Sequence, residues 1–111
     1  MSPGWEGRTV IARIWCASAT ADNAARYREH FTTSVLPELR STDGFLDAML
    51  LEREHGTGVE IQVITRWRSL DVIESFAGGD ISVANVAPDA RAVLTEFDSA
   101  VTHHTVTAES D

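Results

Sequence analysis

Five side chains in this chain could hold or transform a small molecule: Trp67, His103, Arg13, Trp15 and Tyr27. Trp67 closes an alternating strand pattern just before a helical one begins. That junction puts a flat ring with one N–H donor at the mouth of any space between sheet and helix. Among the segments with clear periodicity, His103 is the ready base near neutral pH. It alternates with His104, so only one of the two can point into a given cavity. Arg13 and Trp15 share a strand face and together suit an acidic phenol, while Tyr27 could extend its hydroxyl from a buried helical stripe. His30 and His55 read as solvent-facing. The chain has no HxxxH, no HExxH and no cysteine pair, so a dedicated zinc or iron site is not expected. Gly78-Gly79-Asp80 follows a helix and lacks a Lys-Ser/Thr ending, which makes it a helix stop and not a phosphate loop. Cys16, alone on an apolar strand face, reads as a buried small hydrophobe.

The elements that must position these groups follow from periodicity. In Val59–Trp67, Val59, Ile61, Val63, Thr65 and Trp67 occupy alternate positions, the pattern of a half-buried strand. From Ser69 the period changes. Leu70, Ile73 and Phe76 recur at three-to-four spacing behind a Ser69 N-cap, and Gly78 ends the helix. Arg8–Ala17 forms a first strand in which Val10, Ala12, Ile14 and Cys16 share a uniformly apolar face, expected to pack under helices, while Thr9, Ile11, Arg13 and Trp15 share a mixed face that is either partly wet or lines a pocket. Thr20 caps a long helix to about Leu39, with Ala24, Tyr27, Phe31, Val35 and Leu39 on one stripe and Pro37 starting a final turn. Phe45–Glu54 is a second strand, turning through His55-Gly56-Thr57-Gly58 into the third. Pro88 opens another helix with Ala90, Val93, Leu94 and Phe97 on its apolar face. Residues 99–107 form a last strand.

A chain of 111 residues with a net charge of −8 makes one ordinary globular domain, placed at residues 8–107 with tails at 1–7 and 108–111. Trp5, in the first tail, could tuck against the body or a partner chain. Its acidity disfavours nucleic acid and anionic membrane surfaces as partners. A lone cysteine and the lack of a signal-like start point to the cytoplasm. The order β-α-β-β-α-α-β is that of a ferredoxin-like α+β fold, a split β-α-β with helices on one sheet face. The other face needs a cover, and a second copy of the chain is the simplest one, so a homodimer is expected.

Several motifs then coincide: ARIW at Ala12–Trp15, VLPEL at Val35–Leu39, GF at Gly44–Phe45 and RWRSLD at Arg66–Asp71. FAGGD at Phe76–Asp80, APDAR at Ala87–Arg91 and HHTV at His103–Val106 complete the set. Together they resemble the antibiotic biosynthesis monooxygenase (ABM) family of dimeric α+β barrels. The resemblance implies subunits paired through their sheets, each with a cavity between sheet and helices. It implies oxygenation of a small electron-rich aromatic without metal or flavin, with Trp67 and His103 catalytic and Arg13, Trp15, Tyr27 and Phe76 around the substrate. Haem-degrading members carry a helix Trp and an iron-ligating His, matched here by Phe76 and Val86. Polyketide-oxygenating members carry an Asn and a Tyr, matched by Val63 and Ile73. The alternative is a non-catalytic dimeric barrel that binds a small apolar ligand or serves a stress or accessory role.

Overall fold

The computed structural model describes residues 10–110; Trp5 and the start of the domain at residue 8 lie outside them. Strand β1 (Ile11–Ala19) leads into helix α1 (Ala21–His30), whose first turn is closed by Thr20, its side-chain oxygen accepting from the Asn23 N–H. A wider π-type turn (Phe31–Val35) continues directly into α2 (Leu36–Arg40), with Pro37, which has no N–H to give the continuing helix, just after the wider turn. Strands β2 (Phe45–His55) and β3 (Gly58–Trp67) form the expected hairpin, followed by α3 (Leu70–Ala77). Ser69 caps α3 through the Val72 N–H, a contact worth about 1 kcal/mol. Gly78, at φ +95°, stops it in a conformation that side chains avoid.

The last quarter differs from expectation. Helix α4 (Pro88–Val93) ends before Leu94, and Phe97 lies not on its apolar face but in a two-residue strand, β4 (Glu96–Phe97). The Arg91 guanidinium sits 5.9 Å from the Phe97 ring centroid. The expected final strand is likewise reduced to β5 (Thr102–Thr105), with Ala100 bridging to Val83. Both short strands pair with the same edge of β1, β4 at Ala17–Ser18 and β5 at Ile11–Ile14.

The sheet runs β2-β3-β1, with β4 and β5 beyond β1, and every pairing is antiparallel. β1 and β2 are therefore parallel with β3 between them, and the fold is ferredoxin-like, with its helices on one face. Along β1–β3 the register sets Ile11 opposite Trp67, Arg13 opposite Thr65 and Trp15 opposite Val63. These residues share the face under the helices, where Ile61, Trp67 and Ile73 are wholly buried. Burying one such aliphatic side chain stabilises the fold by about 1.5–3 kcal/mol.

This reverses the expected faces of β1. Ala12, Ile14 and Cys16 lie on the open side and are only half-buried, whereas the mixed set with Arg13 and Trp15 lies under the helices. The mixed set can do so because it lines a cavity and not a dry core. On the open side, Ile14 pairs with Ile64 and Ile64 with Met49, so an apolar strip crosses the sheet. A bulge between Phe45 and Asp47 keeps Phe45 opposite Trp67 while turning Asp47 to the open side opposite Arg66. Arg66 grips Asp47 through Nε and Nη2 and reaches Glu109 through Nη1 at 2.9 Å.

Candidate active site

The helices do not lie flat on the sheet. Between them remains a cavity of about 270 Å3, near the lower end of ligand pockets, which run from about 300 to 1,000 Å3. One wall is the helical stripe read from the sequence: Tyr27, Phe31, Val35 and Leu39 all line it. Facing them are Arg13, Trp15, Val63, Thr65 and Trp67 from the sheet. Phe76 closes one end, and Asn85, Val86 and Ala90 close the side leading into α4.

Aromatic contacts tie these walls together. Tyr27 lies 6.0 Å from Trp15, 6.0 Å from His30 and 6.5 Å from Phe31, centroid to centroid. Trp67 packs edge-on to Phe45 at 5.3 Å and against Phe76 at 5.1 Å. Five of the six residues expected at the site therefore surround the space: Trp67, Arg13, Trp15, Tyr27 and Phe76.

Their chemistry differs from one to the next. Trp67 is 0% exposed, and its indole N–H donates to Thr65 Oγ1 at 2.8 Å. Trp15 donates to the Asp98 carbonyl at 2.8 Å. Neither indole thus has a free donor: Trp15 is partly exposed and offers a ring face, whereas Trp67 is sealed and backs the wall. Tyr27 is different: among the described residues its hydroxyl has no hydrogen-bond partner, yet no buried polar atom is left unsatisfied, so the hydroxyl reaches open space. Burial pushes its pKa up to about 12, so the phenol stays protonated and can donate.

His103 does not line the cavity. It stands opposite Arg13 across the β1–β5 pairing, with its Nε2 3.1 Å from Arg13 Nη1. A guanidinium only donates, so Nε2 must be the acceptor, and His103 is the neutral tautomer with its proton on Nδ1. Burial, then the charges of Arg13 and His104, lowers its pKa, in keeping with that form. His104, opposite Ala12, lies on the open face.

Three lining residues were missed from the sequence. His30 was expected in solvent but is half-buried against Tyr27, three residues along the same helix face. Its spacing from Tyr27 was the available signal. Asn85 falls in an irregular stretch with no period, and Glu38 sits on the exposed side of α2 at the rim. Among the described residues, no cluster of His, Cys, Asp and Glu is arranged to hold a metal ion.

No family model matches the chain, and no curated protein matches it by sequence. Solved structures do. A candidate antibiotic biosynthesis monooxygenase from Bacillus cereus superposes with a TM-score of 0.66 at 17% identity, over 93% of this chain and 98% of that one. A second candidate antibiotic biosynthesis monooxygenase, from Caulobacter crescentus, gives 0.62 at 15% identity, over 93% and 92%. A heme-degrading protein from Mycobacterium tuberculosis, with two hemes in its active site, gives 0.64 at 18% identity, over 91% and 99%. This chain has the ABM-type fold that these proteins share.

Proposed function

We propose that this protein is a small monooxygenase, independent of metal and flavin, that oxidises an electron-rich aromatic metabolite as a cytoplasmic homodimer. The cavity carries the reading: five aromatic rings, Trp15, Tyr27, Phe31, Trp67 and Phe76, surround a space with one unspent phenolic donor. Its volume suits a molecule of roughly two or three fused rings.

Such a substrate supplies its own reactivity. A ring CH2 set across the ring from a ketone, and conjugated to it through the flanking aromatic rings, loses a proton and becomes a delocalised enolate. The enolate passes one electron to O2, and the resulting carbon radical and superoxide combine as a peroxide. Protonation and loss of water leave a new C=O. Overall, CH2 plus O2 gives C=O plus water. The protein has to exclude bulk water, favour the enolate and take the proton. Tyr27 donates to the enolate oxygen, and the Arg13 charge favours the anion. Trp15 contributes a ring face, and Trp67, wholly buried between Phe45 and Phe76, holds the wall behind the substrate and is not a donor. His30, in the cavity wall, accepts the proton. His103, whose Nε2 is occupied by Arg13, acts by positioning that arginine.

Oxygen uptake by the purified protein with an anthrone panel, chelator present, tests this reading. Tyr27→Phe should lower kcat by roughly ten- to a hundredfold and His30→Ala by at least as much. Uptake at the buffer rate for every anthrone, or variants as fast as wild type, would remove the proposal.

A non-catalytic carrier of an apolar ligand is the second reading. It is favoured by the two engaged indole N–H groups and by Val63 and Ile73, which offer no side-chain donor where polyketide oxygenases of similar sequence have Asn and Tyr. A compound that co-purifies without oxygen uptake would support it. Haem breakdown is disfavoured, because Val86, matching the iron-ligating His, brings an aliphatic chain to the cavity wall.

Dimerisation is proposed through the open sheet face. Met49 and Leu51 are 47% and 42% exposed there, beside Ile14 and Ile64. A second copy laid across the strip would cover all four.

A further inference from the structure

Three arginines of this chain show how the protein uses a guanidinium. Arg28 holds Glu52 through Nε and Nη2, both at 2.8 Å, and Arg66 holds Asp47 through the same two nitrogens, Nε at 2.8 Å. That edge presents two parallel N–H bonds at the spacing of two carboxylate oxygens. Arg13 is held by its other end. Nη1 donates to the Ile81 carbonyl at 2.7 Å and faces His103 Nε2, while Nη2 reaches only the Val83 carbonyl at 3.5 Å, the limit of a hydrogen bond. Among the described residues, Nε makes no hydrogen bond and no carboxylate lies within ion-pair distance of Arg13.

We propose that the cavity takes an aromatic acid, a ring compound whose carboxylate, or an equally planar two-oxygen anion, docks on the free Nε/Nη2 edge of Arg13. The partly buried cation has lost much of its water, and burial lowers its pKa, so an incoming anion replaces solvation that the fold has removed. Ile81, Val83 and His103 fix the plane of the guanidinium from behind, and the fork is preorganised. The aromatic walls then take the ring. Glu38, the one carboxylate among the described residues that line the cavity, is exposed on α2 and disfavours the opposite orientation of the acid. The inference deepens the monooxygenase reading and rests on its cavity and aromatic substrate, but not on turnover.

The test is equilibrium binding of 2-naphthoate and its neutral amide, 2-naphthamide, to the full chain at pH 7 by calorimetry. The acid is expected to bind roughly ten- to a hundredfold tighter than the amide. Arg13→Met, which keeps the stem and removes the fork, should erase the preference, and Arg13→Lys should restore it only in part. Equal binding of the two compounds by wild type, no binding of the acid, or a preference that survives in Arg13→Met would overturn the proposal. The wild-type comparison stands even if a variant fails to fold. A clear acid preference without oxygen uptake would keep the anion site while removing the oxygenase reading.

Discussion

The two faces of one sheet treat the same kind of residue in opposite ways. On the covered face, Arg13 is half-buried, braced by carbonyls and an imidazole, and has no carboxylate partner among the described residues. On the open face, Arg66 is gripped by Asp47 and Glu109. The first arrangement leaves a cation wanting an anion, and the second neutralises a cation on a surface proposed to meet another copy. Apolar residues divide in the same way. Trp67 and Ile73 are sealed under the helices, while Met49 and Leu51 remain open. Function is therefore to be sought where polar groups under the helices still face open space, and assembly where apolar groups remain uncovered.

The sharpest break of this contrast is Trp67→Ala. It should cost about 3–5 kcal/mol of stability, read from urea unfolding, because it empties a wholly buried site between Phe45 and Phe76. A loss below about 1 kcal/mol would mean the covered face is not close-packed there. The matching change on the open face, Met49→Glu, should leave monomer stability within about 0.5 kcal/mol. It should nevertheless convert dimer to monomer in sedimentation, and an unchanged mass would place the interface elsewhere.

Asp47→Asn should cost about 1 kcal/mol, because both side chains of the pair keep a third to a half of their surface in solvent, which screens the charges. Its pH dependence has a definite sign. The Arg66 hydrogen bond lowers the Asp47 pKa in the fold, so its contribution is full above about pH 3.9, the unfolded value, and is lost as pH falls through the lower folded value. The variant should lack that part of the acid limb. The smallest signal concerns His103. Its lowered pKa makes its contribution full above about pH 6.5 and lost as pH falls through the folded value. Ring nitrogen NMR at pH 7 should show Nδ1 protonated and Nε2 bare. A protonated Nε2 would contradict the Arg13 contact.

Much of the frame was legible because local signals agreed. Thr20 and Ser69 are the caps, Gly78 is the stop, and the alternation ending at Trp67 is the central strand. On β1 the mixed face of Arg13 and Trp15 was legible as a pocket wall, but the side that the apolar set takes was not, for a physical reason. A face awaiting a partner and a face under helices are both apolar, whereas a cavity wall tolerates a charge, so Ala12, Ile14 and Cys16 looked more buried than Arg13 and Trp15. The end of the chain failed differently. Two residues at Glu96–Phe97 are too few for a period, and their pairing with Ala17 and Ser18 depends on a contact distant in sequence. At the site, residue types pointed to Trp67 and His103 as actors, but their nitrogens were already engaged, by Thr65 and by Arg13. Only geometry distinguishes an engaged donor from a free one.

The π-type turn at Phe31–Val35 has a consequence for how such a cavity could change. Residues spaced by four drift about 40° per step around a regular α-helix, yet Tyr27, Phe31, Val35 and Leu39 all face the same space. The wider turn takes back that drift, as one surplus residue in the coil would. Losing a single codon there would rewind the helix and swing Leu39 and Glu38 around its axis while leaving every strand in register. The roof of the cavity is thus set by chain length and its floor by strand pairing, and a lineage could retune its ligand by altering the first alone.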